Sequence, residues 1–563
     1  MASVTGGRRL FKPLQGGSLV DGVRAGLSDL AKVSAYHQRT KHRPERYSAG
    51  PEALDWGNQP DPFRSFEGAA RIDLPLAADG LETSYSALCG GAAPTPQPFS
   101  REAIGILLEL SMGLSAWKEF GPDRWSVRCN PSSGNLHPTE AYVLCRGIAG
   151  LDDGVYHYLS RDHILQQRCV YSASPSSSCD APRLLVGLSS IHWREAWKYG
   201  ERAFRYCQLD VGHAIGALRY AAAALGWQLR VLEGAGSSDV AHSLGLDSEK
   251  AFLGVECEEP ELLLEVRQVG TPGPAIEETA ESESAGVLGV WTGQANLLDA
   301  HPMYHWPVID EVAVASRMPK LQGDREAHGP LLPPRAVSSA ESAAKLIRGR
   351  RSAQRFDNRE EMKQRDFFGL LDALLPRPSA PWDVWDFTPR LHPVIFVHRV
   401  GGLAPGLYIL PRRAEIVDDL RSAMHGHFNW TQPHGCPSHL PLFQLAAAGC
   451  GQLAKAMHCH QAIAADSAFA LGMVAEFAEV LEAAPWRYRQ LHWEAGLLGQ
   501  TLYLEAEALG LRGTGIGCYF DDSFHEFLGL SGTAFQSLYH FTVGFPMVDS
   551  RVQTLPPYPD RTG

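Results

Sequence analysis

Two stretches of the chain carry the same short pattern, and this pattern decides the fold. Residues 135–145 read NLHPTEAYVLC and residues 390–397 read RLHPVIFV, so Leu-His-Pro leads in each copy into a short apolar run typical of a buried strand. Gly-Val-Tyr at 154–156 and Gly-Leu-Tyr at 406–408 then follow at nearly the same distance from His-Pro. Because the order of the motifs is kept, the chain is predicted to contain two diverged copies of one unit.

Each copy also contains a long amphipathic helix. Its apolar residues recur at steps of three and four, which places them on one helical face. They are Val211, Ile215, Leu218, Ala222 and Leu225 in the first copy, and Leu491, Ala495, Leu498, Leu502, Ala506 and Leu509 in the second. Both helices run into a glycine, Gly226 or Gly510, which suits the left-handed residue just past a helix end. Two such units are predicted to pack as a pseudo-dimer within one chain.

The segments around the repeats set the predicted domain boundaries. A chain of 563 residues with 44% hydrophobic and 20% charged residues is predicted to be globular and to have more than one domain. Residues 1–95 are rich in Gly, Pro and turn dipeptides and are predicted to be an N-terminal extension. Residues 271–335 contain TPGPAIEETAESES at 271–284 and are predicted to be a linker. The two units are then residues 96–270 and 336–563.

Charge and cysteine content exclude several classes of protein. The formal net charge is -12 and no basic block occurs, which argues against nucleic acid as a partner. The 11 cysteines form no CxxC pair and are interpreted as reduced thiols, so we expect a cytoplasmic protein. No apolar h-region follows the basic start, and Arg219 and Arg230 interrupt the most apolar helical run. We therefore expect neither a signal peptide nor a membrane partner.

Three motifs have the composition of a ligand site. The stretch RRSAQRF at 350–356 offers Arg350, Arg351, Ser352 and Arg355 to a phosphate, since guanidinium groups bind its oxygens bidentately; the alternative is a solvated basic turn. A turn before the first repeat strand contains hydroxyls, an amide and a glycine, namely Pro131, Ser132, Ser133, Gly134 and Asn135. Its alternative is an ordinary turn.

The third motif follows the second repeat helix. It is predicted to be a loop whose backbone amides approach a flat ligand, and it consists of Gly513, Thr514, Gly515, Ile516 and Gly517. The GxGxxG spacing of a dinucleotide-binding Rossmann motif is absent, and the glycines follow a helix.

Together these motifs resemble the nitroreductase superfamily of FMN enzymes, and within it the SagB-type dehydrogenases, which include thiazole- and oxazole-forming oxidases. The similar segments are RRSAQRF at 350–356, PSSGNLHPTEAY at 131–142, WKYGERAFRY at 197–206 and GTGIGCYFDD at 513–522. The resemblance implies an α+β fold: tandem nitroreductase-like domains that form an intrachain pseudo-dimer, each with an antiparallel sheet flanked by helices. It also implies that FMN is bound between the two domains.

Comparison of the repeats predicts one FMN per chain. The first copy keeps the Pro-Ser turn, but it lacks an RRS cluster and reads GWQL at 226–229 where the second copy has its glycine motif. The second copy has the arginines and the glycine motif, but reads DFTPRL at 386–391 in place of the Pro-Ser turn. The two copies together therefore contain one Pro-Ser turn, one arginine cluster and one glycine motif, which make one complete site. The second pseudo-site is predicted to be lost.

The resemblance also implies which residues are catalytic. Lys198 and Tyr199 correspond to a pair that transfers protons in azoline-oxidising members, and a flavin site would perturb the pKa of either group. Their alternative is a surface pair at a helix end. The predicted activity is hydride transfer between FMN and a peptide-derived or small natural-product substrate. Two alternatives stay open: an NAD(P)H-dependent nitro or quinone reductase, for which the superfamily admits NAD(P)H as donor, and a non-catalytic flavin-binding scaffold. The chain is expected to be a monomeric pseudo-dimer or a homodimer.

A segment rich in His and Cys at 425–460 raises the question of a metal. Its residues show no HExxH or CxxC spacing, so no metal site is predicted. Residues 425–436, HGHFNWTQPHGC, are interpreted as a lid that covers the flavin and selects the substrate.

Overall fold

A computed structural model describes residues 19–90, 94–172, 181–270, 289–321, 331–335, 337 and 339–561. In these ranges the α-helices are α1 (Leu19–Arg39), α2 (Tyr85–Cys89), α3 (Arg101–Ser111), α4 (His192–Tyr199), α5 (Ala203–Ala224), α6 (Ser237–Leu244), α7 (Pro307–Ala315), α8 (Ala343–Gly349), α9 (Gln364–Asp372), α10 (Val417–Ala423), α11 (Gly451–Met457), α12 (Ala462–Asp466), α13 (Ala478–Ala483), α14 (Arg487–Ala508) and α15 (Asp521–Leu528).

The strands of the same ranges are β1 (Phe66–Glu67), β2 (Ala70–Asp73), β3 (Leu114–Phe120), β4 (Asp123–Arg128), β5 (Thr139–Arg146), β6 (Gly154–Leu159), β7 (Ile164–Tyr171), β8 (Arg183–Ser190), β9 (Trp227–Val231), β10 (Glu259–Gln268), β11 (Gly289–Trp291), β12 (Gln294–Ala295), β13 (Leu391–Val397), β14 (Gly406–Ile409), β15 (Phe443–Ala447), β16 (Phe469–Glu476), β17 (Arg512–Ile516), β18 (Phe535–Gly544) and β19 (Gln553–Leu555).

Two large sheets have the same strand order. The first contains β7-β6-β5-β8-β10-β9 and the second β15-β14-β13-β16-β18-β17, so each strand of the second sheet has a counterpart in the first, which β2 and β11 extend. The neighbouring strands of both series pair antiparallel. The predicted α+β fold with two repeated units, each built on an antiparallel sheet, is confirmed. The Leu-His-Pro motif leads in both domains into a central strand, β5 or β13.

The long helices α5 and α14 form the contact between the domains. Each has 22 residues, and each is followed two residues later by a glycine, Gly226 or Gly510, whose φ is +71°. A Cβ atom on Gly212 would lie 2.3 Å from the Trp493 carbonyl oxygen, and one on Gly496 would lie 2.2 Å from that of Leu209. The backbones are therefore in direct contact, which only glycine permits. The predicted intrachain pseudo-dimer is built on this crossing.

Segments near both ends of the described chain connect the two domains. The helix α1 was not predicted, and its His37 lies within hydrogen-bonding distance of Tyr488 and Gln536 in the second domain. At the other end, β19 pairs with β3 of the first domain, and the Tyr558 hydroxyl donates to the Ser160 carbonyl oxygen.

Part of the segment predicted to be a linker is structured. Residues 289–321 form β11, β12 and α7, and β11 extends the first sheet by pairing with β7. Residues 271–288 and 322–330 lie outside the described residues. The unusual composition of 271–284 therefore does not extend to the whole segment. Within the described part of the chain, no helix has both the length and the apolar character needed to cross a membrane.

Candidate functional site

A cleft of about 490 Å³ lies between the two domains, and the three predicted motifs meet in it. Its walls include Pro131, Ser132, Ser133, Gly134, Asn135, Arg350, Arg351, Ser352, Thr514, Gly515, Ile516 and Gly517. Two residues of the predicted set do not line it. Gly513 is buried behind the wall, where a Cβ atom would meet the Phe541 ring at 2.5 Å. Arg355 is exposed. The prediction that Arg355 contacts a phosphate in the cleft is therefore not supported by its placement.

A buried carboxyl group fixes the Pro-Ser turn. Asp210 on α5 accepts hydrogen bonds from the backbone nitrogen of Ser133 at 3.1 Å and from the Ser133 hydroxyl at 3.0 Å. Ser132 Oγ accepts a hydrogen bond from the backbone nitrogen of His137 at 2.8 Å. Burial raises the pKa of Asp210 to about 7, against the opposing hydrogen bonds from the two serines. Sequence reasoning missed Asp210, because it sits in a helix with no local motif.

The turn lies directly against the Lys-Tyr pair. Gly134 has a φ of +59°, and a Cβ atom there would lie 2.5 Å from the Tyr199 hydroxyl and 3.2 Å from Lys198 Nζ. Tyr199 lines the cleft, whereas Lys198 is half-buried behind it. Burial raises the pKa of Tyr199 well above its usual value and lowers the pKa of Lys198. Tyr199 therefore stays protonated at neutral pH, with its hydroxyl at the wall of the cleft.

A second unforeseen carboxyl group lies beneath this pair. Glu195 is on the same helix, α4, and is fully buried; neither of its carboxyl oxygens has a hydrogen-bond partner among the described residues. Burial, and then the charge of Asp210, raise the pKa of Glu195 well above its usual value, while Lys198 opposes the shift. Glu195 is therefore held in its protonated form, close to Lys198 and Asp210.

One end of the cleft is strongly cationic. Arg350 is buried and donates from Nε to the Cys129 carbonyl oxygen and from Nη2 to that of Arg128, each at 3.1 Å, while its Nη1 has no partner in the described structure. Arg351 donates to the carbonyl oxygens of Arg348, Arg350 and Ser115. No carboxylate takes up either charge at hydrogen-bonding distance within the described residues.

Two further cations, Lys118 and Arg512, line the same end. Burial and then the charge of Arg350 lower the pKa of Arg351 to about 10. Burial and then the charges of Arg351 and Arg512 lower the pKa of Lys118. Glu507 approaches Arg512 at 4.0 Å, and burial raises its own pKa. The repulsion would be relieved by an anion. Arg512 could have been found beside Gly513 in the sequence, whereas Lys118 on β3 has no motif around it.

The glycine motif is an edge strand, which corrects the predicted loop. Residues from Arg512 to Ile516 form β17 and pair with β18. The glycines are required by the packing behind the strand. A Cβ atom on Gly515 would lie 1.8 Å from the Tyr539 hydroxyl oxygen, and one on Gly517 would lie 2.2 Å from Cε1 of Tyr206. The lack of side chains lets the strand lie directly on these aromatic rings.

A second, smaller cavity marks the pseudo-equivalent position. It measures about 230 Å³ and is lined by residues before β13 and on β9, the counterparts of the Pro-Ser turn and of β17. Glu494 on α14 replaces Asp210 and accepts from the backbone nitrogen of Arg390 at 3.0 Å. The arginines here are paired: Arg412 contacts Glu494, and Arg230 contacts Asp386. Because acidic partners neutralise these cations, this cavity offers less to an anion than the larger cleft does.

The lid interpretation of residues 425–436 is wrong for this structure. None of them lines the cleft. They follow the outer edge of the second sheet instead, where the backbone nitrogen of Asn429 donates to the Leu445 carbonyl oxygen and that of Thr431 donates to the Gln444 carbonyl oxygen. Aromatic and Pro-rich composition does not say on which face such a loop lies. In the described ranges, no group of three or more His, Cys, Asp or Glu side chains is arranged to hold a metal ion.

Comparison with known proteins agrees with this architecture. Residues 406–545 match the model of the Nitroreductase family, which confirms the resemblance drawn from the motifs. The fold matches the crystal structure of a protein from Anabaena variabilis described as a "putative nitroreductase", over 92% of this chain and 99% of the other, with a TM-score of 0.65 and 21% sequence identity. At that identity the likeness concerns the fold, and it extends over both domains.

Two curated relatives match shorter regions. Trifolitoxin-processing protein TfxB of Rhizobium leguminosarum bv. trifolii is 31% identical over 155 residues, which are 25% of this chain and 42% of that protein. A protein of Methanocaldococcus jannaschii described as a "putative nitroreductase" is 30% identical over 113 residues, which are 18% of this chain and 57% of that protein. The chain thus spans about half the length of the curated relatives that it matches.

Proposed function

We infer that this chain, whose residues 406–545 match the Nitroreductase family model, is an FMN-dependent oxidoreductase of the SagB type. It transfers hydride between FMN and a peptide-derived or small natural-product substrate. One observation carries the proposal: the cationic cluster, the Pro-Ser turn and Tyr199 line a single cleft between the two domains. All these parts come from one chain.

The residues of the cleft fit FMN. Among the described residues, the buried Nη1 of Arg350 has no hydrogen-bond partner. Arg351, Lys118 and Arg512 repel one another at the same end of the cleft, and such a concentration of positive charge suits a phosphate dianion. We propose that these cations hold the phosphate and that the Pro-Ser turn and β17 hold the rest of the cofactor. Bound FMN would supply a ring that accepts and releases hydride. Since the arginines of the smaller cavity are already paired with carboxylates, we propose one FMN per chain.

Lys198 and Tyr199 are proposed to handle the proton that accompanies hydride transfer. Tyr199 presents a protonated hydroxyl at the cleft wall, because burial raises its pKa. The half-buried ammonium group of Lys198 stands beside it, with its pKa lowered by burial, and can replace a proton that Tyr199 gives up. The protonated carboxyl group of Glu195 lies on the same helix, one turn before the Lys-Tyr pair, and is proposed as a further proton donor.

The substrate class is supported by sequence similarity. The 31% identical relative is named for the processing of trifolitoxin, a named product rather than a general nitro compound. We therefore favour oxidation of a natural-product precursor over reduction of nitro or quinone compounds by NAD(P)H. We propose that the protein acts in the cytoplasm; the ten described cysteines are all free thiols.

Anaerobic mixing experiments test the proposal. The FMN-loaded protein is mixed separately with a synthetic thiazoline-containing peptide, NADH and NADPH while the flavin absorbance is followed. We expect the thiazoline peptide to bleach the flavin, and mass spectrometry to show that the peptide has lost two hydrogen atoms. Bleaching by NADPH or NADH with none by the peptide would favour the reductase alternative. A flavin that no candidate substrate reduces would favour the non-catalytic scaffold.

A further inference from the structure

Two cysteine sulfurs are in contact at the edge of the cleft. Cys518 follows Gly517 directly and lines the cleft, while Cys459 lies in the turn after α11. Their Sγ atoms are 2.7 Å apart, although the residues are separated by 59 positions in the sequence. Both residues are partly exposed. The backbone nitrogen of Phe520 donates to the Met457 carbonyl oxygen at 2.9 Å, which holds the two segments together.

The surroundings favour the thiolate form of Cys518. The contact with Cys459 is the largest effect that lowers the pKa of Cys518, followed by a hydrogen bond with His42 and by the positive charge of Arg202. His42 Nδ1 accepts a hydrogen bond from the backbone nitrogen of Ser48 at 2.9 Å, so the neutral ring carries its proton on Nε2 and can donate it. The same contact with Cys518 raises the pKa of Cys459. One sulfur is thus nucleophilic and the other keeps its proton.

Several other described cysteines lack this arrangement. Cys129 Sγ donates to the Glu109 carbonyl oxygen at 3.3 Å, and Cys450 Sγ donates to that of Gly406 at 3.4 Å. Burial raises the pKa of both thiols to about 11. Buried, protonated thiols of this kind are poor nucleophiles. The contact between two sulfurs therefore distinguishes Cys459 and Cys518 from these buried thiols.

We propose that Cys459 and Cys518 are an oxidation site that closes reversibly to a disulfide when hydrogen peroxide enters the cleft. The Cys518 thiolate attacks one peroxide oxygen, the O–O bond breaks, and hydroxide leaves, so that Cys518 becomes a sulfenic acid. The Cys459 sulfur then attacks the Cys518 sulfur, the S–S bond forms, and the departing hydroxide takes up the Cys459 proton as water. The two sulfurs together lose two electrons, and the peroxide is reduced to one water and one hydroxide. This hydroxide becomes the second water by taking up the proton that Cys518 released when it ionised. The site stands independently of the proposed flavin chemistry.

Titration of the full-length protein with hydrogen peroxide tests the proposal. We expect the parent to lose two thiols in a fast phase, and non-reducing peptide mapping to join the peptides that carry Cys459 and Cys518. Dithiothreitol should restore both thiols. A map in which these two peptides stay separate, or in which the fast disulfide joins other cysteines, would overturn the proposal.

Single substitutions distinguish the two roles. Cys459→Ser should stop the reaction at a sulfenic acid on Cys518, which dimedone labels, whereas Cys518→Ser should abolish both the fast phase and the label. Cys436→Ser is the matched control: Cys436 is also partly exposed, but burial raises its pKa, and its sulfur donates to the carbonyl oxygens of Pro437 and Leu440. It should react as the parent does. Equal labelling of Cys459 and Cys518 variants would contradict the assignment of Cys518 as the attacking sulfur.

Discussion

Replacing Arg351 with alanine should weaken FMN binding and leave the stability of the flavin-free protein nearly unchanged. Arg351 donates three hydrogen bonds, all to carbonyl oxygens. At about 0.5–1.5 kcal/mol each, their loss destabilises the fold by roughly 1.5–4.5 kcal/mol. Its pKa is lowered from 12.5 to about 10, so the charged group opposes folding at neutral pH by at most about 3 kcal/mol, less any solvent screening. The two effects nearly cancel.

Binding of FMN should respond quite differently. Loss of a charge-assisted hydrogen bond to the phosphate costs about 1.5–3 kcal/mol, which is roughly a tenfold to hundredfold loss of affinity. Flavin fluorescence quenching would measure the affinity, and thermal unfolding without FMN would measure the stability. Arg355→Ala is the matched control, because Arg355 lies in the same RRSAQRF stretch but is exposed outside the cleft. The reasoning fails if Arg351→Ala binds FMN as tightly as the parent, or if Arg355→Ala loses as much affinity.

Further predictions concern the other wall of the cleft. Lys198→Ala and Tyr199→Phe should keep a full complement of FMN and lose about a hundredfold to ten-thousandfold in turnover, measured beside flavin content; normal turnover in both would make the pair structural. Gly134→Ala should impair both turnover and FMN binding, because its Cβ would lie 2.5 Å from the Tyr199 hydroxyl; Gly121→Ala, with the same φ of +59° and no atom within 4 Å, should change neither. The pKa of Asp210 is raised to about 7, so the parent loses stability as the pH rises from about 4 to 7. Denaturant unfolding should therefore show that the free energy of unfolding of Asp210→Asn, relative to that of the parent, rises by about 2–3 kcal/mol between about pH 5 and pH 8. A difference that does not change with pH would refute the raised pKa of Asp210.

Much of the architecture is encoded in local patterns of the sequence. The Leu-His-Pro motifs and the two periodic helices are short-range signals, and they predicted the paired domains that the structure shows. The helix α1 was not predicted, because the Gly- and Pro-rich composition of the flanking residues led us to interpret the whole segment as an irregular extension. Similarly, the glycines from Gly513 to Gly517 indicated a loop, although packing against Tyr206 and Tyr539 holds most of this motif as a strand.

The missed residues of the site depend on long-range contacts. Lys118 reaches the cationic end because β3 pairs with β19, and its Nζ donates to Thr554, a residue 436 positions away. Asp210 acts on a turn that lies 77 positions earlier in the chain. No spacing rule covers such separations. Conversely, a local motif assigned Arg355 to the site, whereas Arg355 is exposed and does not line the cleft.

The stoichiometry of FMN binding tests the central claim most directly. Flavin released by heat from the fully loaded protein is quantified against protein concentration determined by amino-acid analysis. The account predicts a ratio near one, because Arg350 and Arg351 of the larger cleft donate only to carbonyl oxygens in the described structure, while Arg412 and Arg230 of the smaller cavity are paired with carboxylates. A ratio near two would contradict the loss of the second site, and a protein that takes up no added FMN would contradict the assignment of the cleft itself.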